Sequence, residues 1–254
     1  MIDFFMSYRA SVFTDTIEAS SENISKLLML FVDRGFLPNV YNEQIPIVGG
    51  FGPTQIPIGP LSVLELKSND GKFIIKFGQG RIDIVMTMPS PSVGVGDINV
   101  FLEEADNCFK IIFAKFPRTF SRLAFASNAL LKILPEDKLN DLYLSLISPV
   151  EFYSENIPVE WNIRQVAKNE IEINDNKELM NVVCSLSRSL VTINENGNIS
   201  NSNRIIIDFD INTVPENMEK RFSMEQYNSF ISTALDCQNR ILEEYKLMIY
   251  GDKE

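Results

Sequence analysis

Lys72-Phe73-Ile74-Ile75-Lys76-Phe77-Gly78-Gln79-Gly80-Arg81-Ile82-Asp83-Ile84-Val85-Met86 is the stretch that decides the fold class. Polar and apolar side chains alternate on either side of Gly78-Gln79-Gly80, and such alternation gives a strand one face for a core and one mixed face. The two glycines supply the positive φ that a tight reversal needs. Just upstream, Leu61 to Lys67 has strand character and is followed by Asn69-Asp70-Gly71, a second hairpin signal. The segment 61–88 therefore predicts an antiparallel meander.

Working outward, Ile2 to Thr16 mixes aromatic, Thr, Ser and Val residues and predicts a strand. Ser20 and Ser21 offer N-caps to a helix bearing Ile24, Leu27, Leu28 and Phe31, and Gly35 stands where a left-handed C-terminal residue belongs. Residues 36–60 read as a long Gly- and Pro-rich connection containing Gly49, Gly50, Phe51 and Gly52. That run lacks the GK[ST] ending of a phosphate-binding loop, so a partner-docking loop is the expectation there. Downstream, Ile98, Phe101, Ala105, Cys108, Phe109 and Ile112 recur at helical spacing over 97–115, and Pro117 stops that helix. Thr119 to Ala126 reads as a strand, and a short helix starts at Pro135.

The second half continues the theme. Val150–Tyr153, Val159–Val166, Glu170–Ile173, Asn181–Ile193 and Arg204–Ile211 read as strands, with a polar Asn-rich tip over 194–203. Ser223 with Gln226 forms a capping box for a final helix carrying Tyr227, Phe230, Ile231, Ala234, Ile241 and Tyr245 on one stripe. The expected class is α+β, as two related antiparallel-sheet units with amphipathic helices on one face of each, or one merged sheet. The units would span 1–134 and 135–254.

This order, with strand Phe120-Ser121-Arg122-Leu123-Ala124-Phe125-Ala126-Ser127-Asn128 and strand Ile205-Ile206-Ile207-Asp208-Phe209-Asp210-Ile211, resembles a sporadically distributed bacterial α+β family of unknown function. The family pattern includes an Asn-Trp-Arg element and a His in the last helix; this chain has neither, its single Trp being Trp161. Sporadic distribution implies a phage-defence or toxin–antitoxin setting.

Composition mainly excludes. The 254 residues contain no His, which removes Ser-His-Asp and Cys-His nucleophile pairs, HExxH zinc sites and imidazole proton shuttles. Cys108, Cys184 and Cys237 are widely spaced and read as buried reduced thiols. No apolar run approaches membrane-span length, and the opening Met-Ile-Asp-Phe-Phe-Met has no basic n-region, so a cytoplasmic protein without a signal peptide is expected. The net charge of -11 is uneven: 12 basic and 13 acidic residues lie in 1–134, against 11 and 21 in 135–254.

Three constellations could carry function. Asp208 and Asp210 project from one strand face, as an oxygen-liganded Mg²⁺ site of a nuclease or phosphodiesterase would require, although a solvent-facing strand edge explains them as well. The pairs Glu170/Glu172 and Glu243/Glu244 are lesser versions. Lys110, Lys115, Arg118, Arg122 and Lys132 form an acid-free basic run that suits an anion or nucleic acid. Tyr8, Arg9 and Ser11, and Trp161 with Arg164, are further candidate ligand contacts, each also explained by packing. The leading expectation is a non-catalytic protein-interaction component that needs no cofactor and uses its acidic second half to engage a basic protein partner. Nucleic-acid binding and homo-oligomerisation stay open beside it.

Overall fold

A computed structural model describes residues 1–43, 61–88, 94–195 and 198–251. Among these residues nine strands form one antiparallel sheet: β1 (Ile2–Phe13), β2 (Phe36–Glu43), β3 (Leu61–Ser68), β4 (Phe73–Gly78), β5 (Arg81–Thr87), β6 (Arg122–Leu131), β7 (Trp161–Ile173), β8 (Asn176–Glu195) and β9 (Asn198–Thr213). Their order is β2-β3-β4-β5-β1-β6-β9-β8-β7, so the first strand of the chain is the middle strand of the sheet. The helices are α1 (Ser21–Phe31), α2 (Ile98–Lys115), α3 (Glu136–Leu146), α4 (Glu151–Glu155) and α5 (Met224–Tyr250).

The two halves of the chain thus share one sheet, and the expected boundary at 134/135 falls between β6 and α3. From the central β1/β6 pair the strands run outward as β1-β5-β4-β3-β2 on one side and β6-β9-β8-β7 on the other. The core also crosses the midline. Ile171, Ile173, Met180 and Ile211 join the cluster built on Leu27, Phe101 and Phe109. A second cluster gathers Leu139, Tyr143, Trp161 and Tyr245 beneath α3 and the end of α5.

Helices cover one face only. Tyr8, Ala10 and Val12 of β1 point into that layer, and the Tyr8 ring stacks on Phe101 of α2 at 5.4 Å. Phe109 of α2 meets Tyr227 of α5 edge-on at 5.1 Å. Ser127 Oγ donates to Gln238 Oε1 of α5 at 2.6 Å, which satisfies a fully buried amide. Arg188 is 0% exposed and donates to Asn140 Oδ1 and Glu136 Oε1 of α3. Because these groups all lie beneath helices, the alternate residues of every central strand are left on an open face.

Several boundaries differ from the sequence reading. The connection expected over 36–60 begins with β2, paired with β3 from Phe36 opposite Ser68 to Glu43 opposite Leu61. Pro38 lowers strand propensity, yet on an outer strand its missing N–H costs no ladder bond. The buried Phe36 ring packs edge-on against Phe31 at 5.6 Å and anchors the strand. Gly35, at φ 75°, makes the reversal into it, and a Cβ there would meet Asn69 Nδ2 at 2.9 Å. Gly49, Gly50, Phe51 and Gly52 lie outside the described residues.

Val150–Tyr153 is not a strand; α4 occupies it, with Ser154 N–H donating to Val150 C=O at 3.1 Å. Strand propensity in so short a run gives way to local helical bonding just after Pro149. Val159–Val166 and Glu170–Ile173 are one strand, β7. Its polar middle looked like a break because it lies at the sheet edge, where neither face needs apolar residues. The Asn-rich tip is likewise a ladder, since β8 and β9 stay paired to Glu195 opposite Asn198. Backbone pairing there does not depend on side-chain hydropathy. The strand read over 119–126 starts later, at Arg122, with Phe120 forming an isolated bridge to Phe222.

Candidate functional site

Strand register lays out the open face in rows. Arg9 on β1 stands between Val85 of β5 and Ala126 of β6, and the row continues through Asp210 of β9 and Val183 of β8. One row over are Thr87, Ser7, Asn128, Asp208, Ser185 and Arg164. On the other side lie Asp83, Ser11, Ala124 and Asn212. Ala124 and Ala126 present only methyl groups in the middle of this polar surface. The depression there is a cavity of about 520 Å³ whose lining includes Arg9, Arg81, Asp83, Asn128, Asp208 and Asp210.

Most charges on the face are already matched. Arg81 Nε pairs with Asp83 Oδ2 at 2.9 Å, and Ser11 Oγ donates to Asp83 Oδ1 at 2.5 Å. The Asp208 carboxylate accepts from the Asn128 amide, and Asp210 Oδ1 accepts from Asn212 Nδ2 at 3.1 Å. Arg122 donates to Asn212 Oδ1 at 2.8 Å and to the Thr213 carbonyl at 3.1 Å. Its guanidinium sits 4.6 Å from the Phe13 ring centroid, and burial draws its pKa down from the ordinary value.

The exceptions are the exposed Arg164 at the rim and, less exposed, Arg9. The Arg9 Nε is shut off from water and donates to no acceptor among the described residues. The register explains why, since its cross-strand neighbours are Val85 and Ala126 and neither side chain accepts. Asp83, a diagonal neighbour, is engaged by Arg81 and Ser11. A guanidinium keeps its charge in a protein, so this one faces the cavity as a cation without a counter-charge.

The sequence candidates separate across the sheet. Asp208 and Asp210 share the open face, as their spacing predicts. Their immediate hydrogen-bond partners are amides, and no group of three or more Asp, Glu, Cys or His suited to a metal occurs among the described residues. The basic run is not brought together. Lys110 pairs with Asp106 along α2 at 2.5 Å and Arg118 pairs with Asp15 at 3.6 Å, whereas Arg122 is on the opposite side of the sheet from α2. Lys115 is exposed at the end of α2, and Lys132 lies just past β6, donating its backbone N–H to Met1 C=O at 3.0 Å. Arg9 lines the cavity, Ser11 is buried on the same side of β1 with its hydroxyl on Asp83, and Tyr8 points the other way into the helix layer. Arg164 stands at the cavity rim, and Trp161 packs inward near Tyr143 at 5.9 Å. Glu170 pairs with Lys177 at 2.6 Å, and Glu243 and Glu244 pair with Lys246 and Arg240 on their own helix.

Sequence reasoning missed Asp83, Arg81 and Asn128. A signal existed, because Asp83 interrupts Ile82-Ile84 and Asn128 follows Ser127 in an otherwise apolar strand. Nucleophilic chemistry has little support. Burial raises the Cys108 thiol and pushes the Cys184 thiol up to about 12, and it raises the Tyr8, Tyr227 and Tyr245 hydroxyls.

No helix among the described residues is long and apolar enough to cross a membrane. Compared with known families and curated proteins, the chain matches no family model and no curated protein.

Proposed function

We propose that the chain acts by binding rather than catalysis, and that its open sheet face holds a phosphate-bearing small molecule with hydroxyl groups. The observation that carries this reading is Arg9, a cation without a partner in a cavity of about 520 Å³. That volume lies in the range of roughly 300–1,000 Å³ common to small-molecule sites. The oxyanion would sit on Arg9, with Ser7 and Asn128 as neutral donors, while Asp208 and Asp210 accept from hydroxyls. Calorimetric titration with inorganic phosphate, a nucleoside monophosphate and a sugar phosphate tests this. Saturable binding of a phosphate ester, weakened by about ten-fold or more in Arg9→Met, is expected. Absent binding, or binding indifferent to Arg9, overturns it. The alternative of a Mg²⁺-dependent nuclease on Asp208 and Asp210 has less support, since both carboxylates are held by amides and join no metal-holding group of three or more Asp, Glu, Cys or His among the described residues.

A second reading concerns a protein partner. On α4, Phe152 is 65% exposed and packs edge-on with the exposed Tyr153, between Val150 and Val159, which are also exposed. Glu151 and Glu155 flank the aromatic pair. We infer that this acidic and aromatic patch is where the second half engages a basic protein, consistent with an interaction component of a phage-defence or toxin–antitoxin module. Phe152→Asp should release a partner that wild type retains, and retention would remove the patch from consideration. Strands run outward in reverse chain order on both sides of β1/β6, which supports reading the sheet as two related units, with the second starting at β6 and not at residue 135.

A further inference from the structure

The geometry points to self-association through the edge strand β7, with two copies pairing antiparallel about a two-fold axis to continue the sheet. β7 is the outermost strand on its side and pairs with β8 without a register break from Trp161 opposite Arg188 to Ile173 opposite Asn176. Its outer row of backbone N–H and C=O groups has no partner strand among the described residues. Residues 164–170 are exposed throughout, although Tyr245 of α5 reaches the helix-side face and donates its hydroxyl to Gln165 Oε1 at 3.0 Å. Proteins blunt such edges with charged side chains, proline, bulges, cover or short length, and of these β7 carries the charges. The opposite edge strand, β2, carries Pro38; the thirteen residues of β7 contain neither Pro nor Gly.

The sequence of β7 selects a second copy as the occupant. Its first part carries Arg164 and Lys168, and its last part carries Glu170 and Glu172. In a two-fold antiparallel pair, residues of equal parity meet on the same sheet face. With Ala167 at the axis, Arg164 of each copy faces Glu170 of the other, and Ile163 faces Ile171. Gln165 then faces Asn169, two polar groups able to hydrogen-bond. Shifting the axis to Lys168 sets that cation against itself, and shifting it to Val166 sets Arg164 against Lys168. Like charges directly opposite disfavour both shifts. Arg164 has no ion-pair partner of its own among the described residues. Glu170 is held only by Lys177, whose side chain is 78% exposed. Both charges are therefore available to a second copy.

Sedimentation equilibrium on the full chain, over low to high micromolar concentration and at low and high salt, tests the proposal. A monomer–dimer equilibrium that weakens with salt is expected. Arg164→Glu and Glu170→Arg should each weaken the dimer by about ten-fold or more, and the charge-swapped double variant should regain most of the loss. Ala167→Pro should abolish it, with circular dichroism confirming that each variant is folded. A monomer at every concentration, or a dimer insensitive to Arg164→Glu, overturns the proposal. Phosphate binding is read separately through Arg9, so either result stands without the other.

Discussion

At the residue scale, Arg9 makes an unusual demand on the fold. A half-buried guanidinium whose Nε is shut off from water without an acceptor costs free energy that a methionine of similar length would not. Arg9→Met should therefore leave chemical-denaturation stability unchanged or raise it by about 1 kcal/mol while removing phosphate-ester affinity. Arg188 should behave in the opposite way. It is fully buried but bonded through both terminal nitrogens, and Arg188→Ala, which removes those bonds and leaves a cavity beneath α3, should cost about 2–4 kcal/mol in the same measurement. The thiols form a graded set. Cys237 is half-buried and Cys108 and Cys184 are buried, with burial raising all three. An aromatic disulfide reagent at mildly alkaline pH should label Cys237 first and reach the other two only on unfolding. Arg9 was visible in the sequence as a candidate contact, but its lack of a partner was not. That property belongs to the β5–β1–β6 register, which joins residues far apart in the chain.

At the element scale, the cap of α5 was legible residue by residue. Ser223 Oγ accepts from Glu225 N–H at 3.2 Å, and the Gln226 side chain accepts from Ser223 N–H at 2.9 Å. Ser223→Ala should destabilise the chain by about 1 kcal/mol, read as a lower urea midpoint with an unchanged slope. Where one helix stripe or one strand alternation decided the structure, as in α2 and β3–β5, the reading matched. It failed where context decided. β2 carries a proline that only an outer position tolerates, and α4 is an aromatic run bent helical by local bonding. The polar ends of β8 and β9 are held by each other's backbone and not by a core. The open face was legible only as alternation. Which polar residues meet there follows from strand order, and β9 lies beside β6 although two helices and two strands separate them in the chain.

At the scale of the whole molecule, the absence of His leaves no imidazole to titrate near neutrality, and burial moves the thiols away from that range. The acid side differs. A hydrogen bond from Lys220 holds the Asp15 carboxyl below its ordinary range, Lys26 does the same for Glu22, Ser68 for Asp70 and Lys168 for Glu216. Carboxyls lowered by folding favour the folded state while ionised. Their contribution is complete above the unfolded values of about 4 and fades as pH falls through the lower folded values. The melting temperature should therefore be nearly flat from about pH 6 to 8 and decline below about pH 4, as followed by circular dichroism. A step near pH 6.5 would contradict this expectation.

The position of β1 also has a consequence for biosynthesis. Of the nine strands described, β1 leaves the ribosome before the others and occupies the centre of the finished sheet, with β5 on one side and β6 on the other. A nascent chain released only through α2 can close β1 against β5, yet its other side stays bare until residues 122–131 emerge. During that interval the future middle of the sheet is an unprotected rim, and co-translational chaperone contact should concentrate there before β6 arrives.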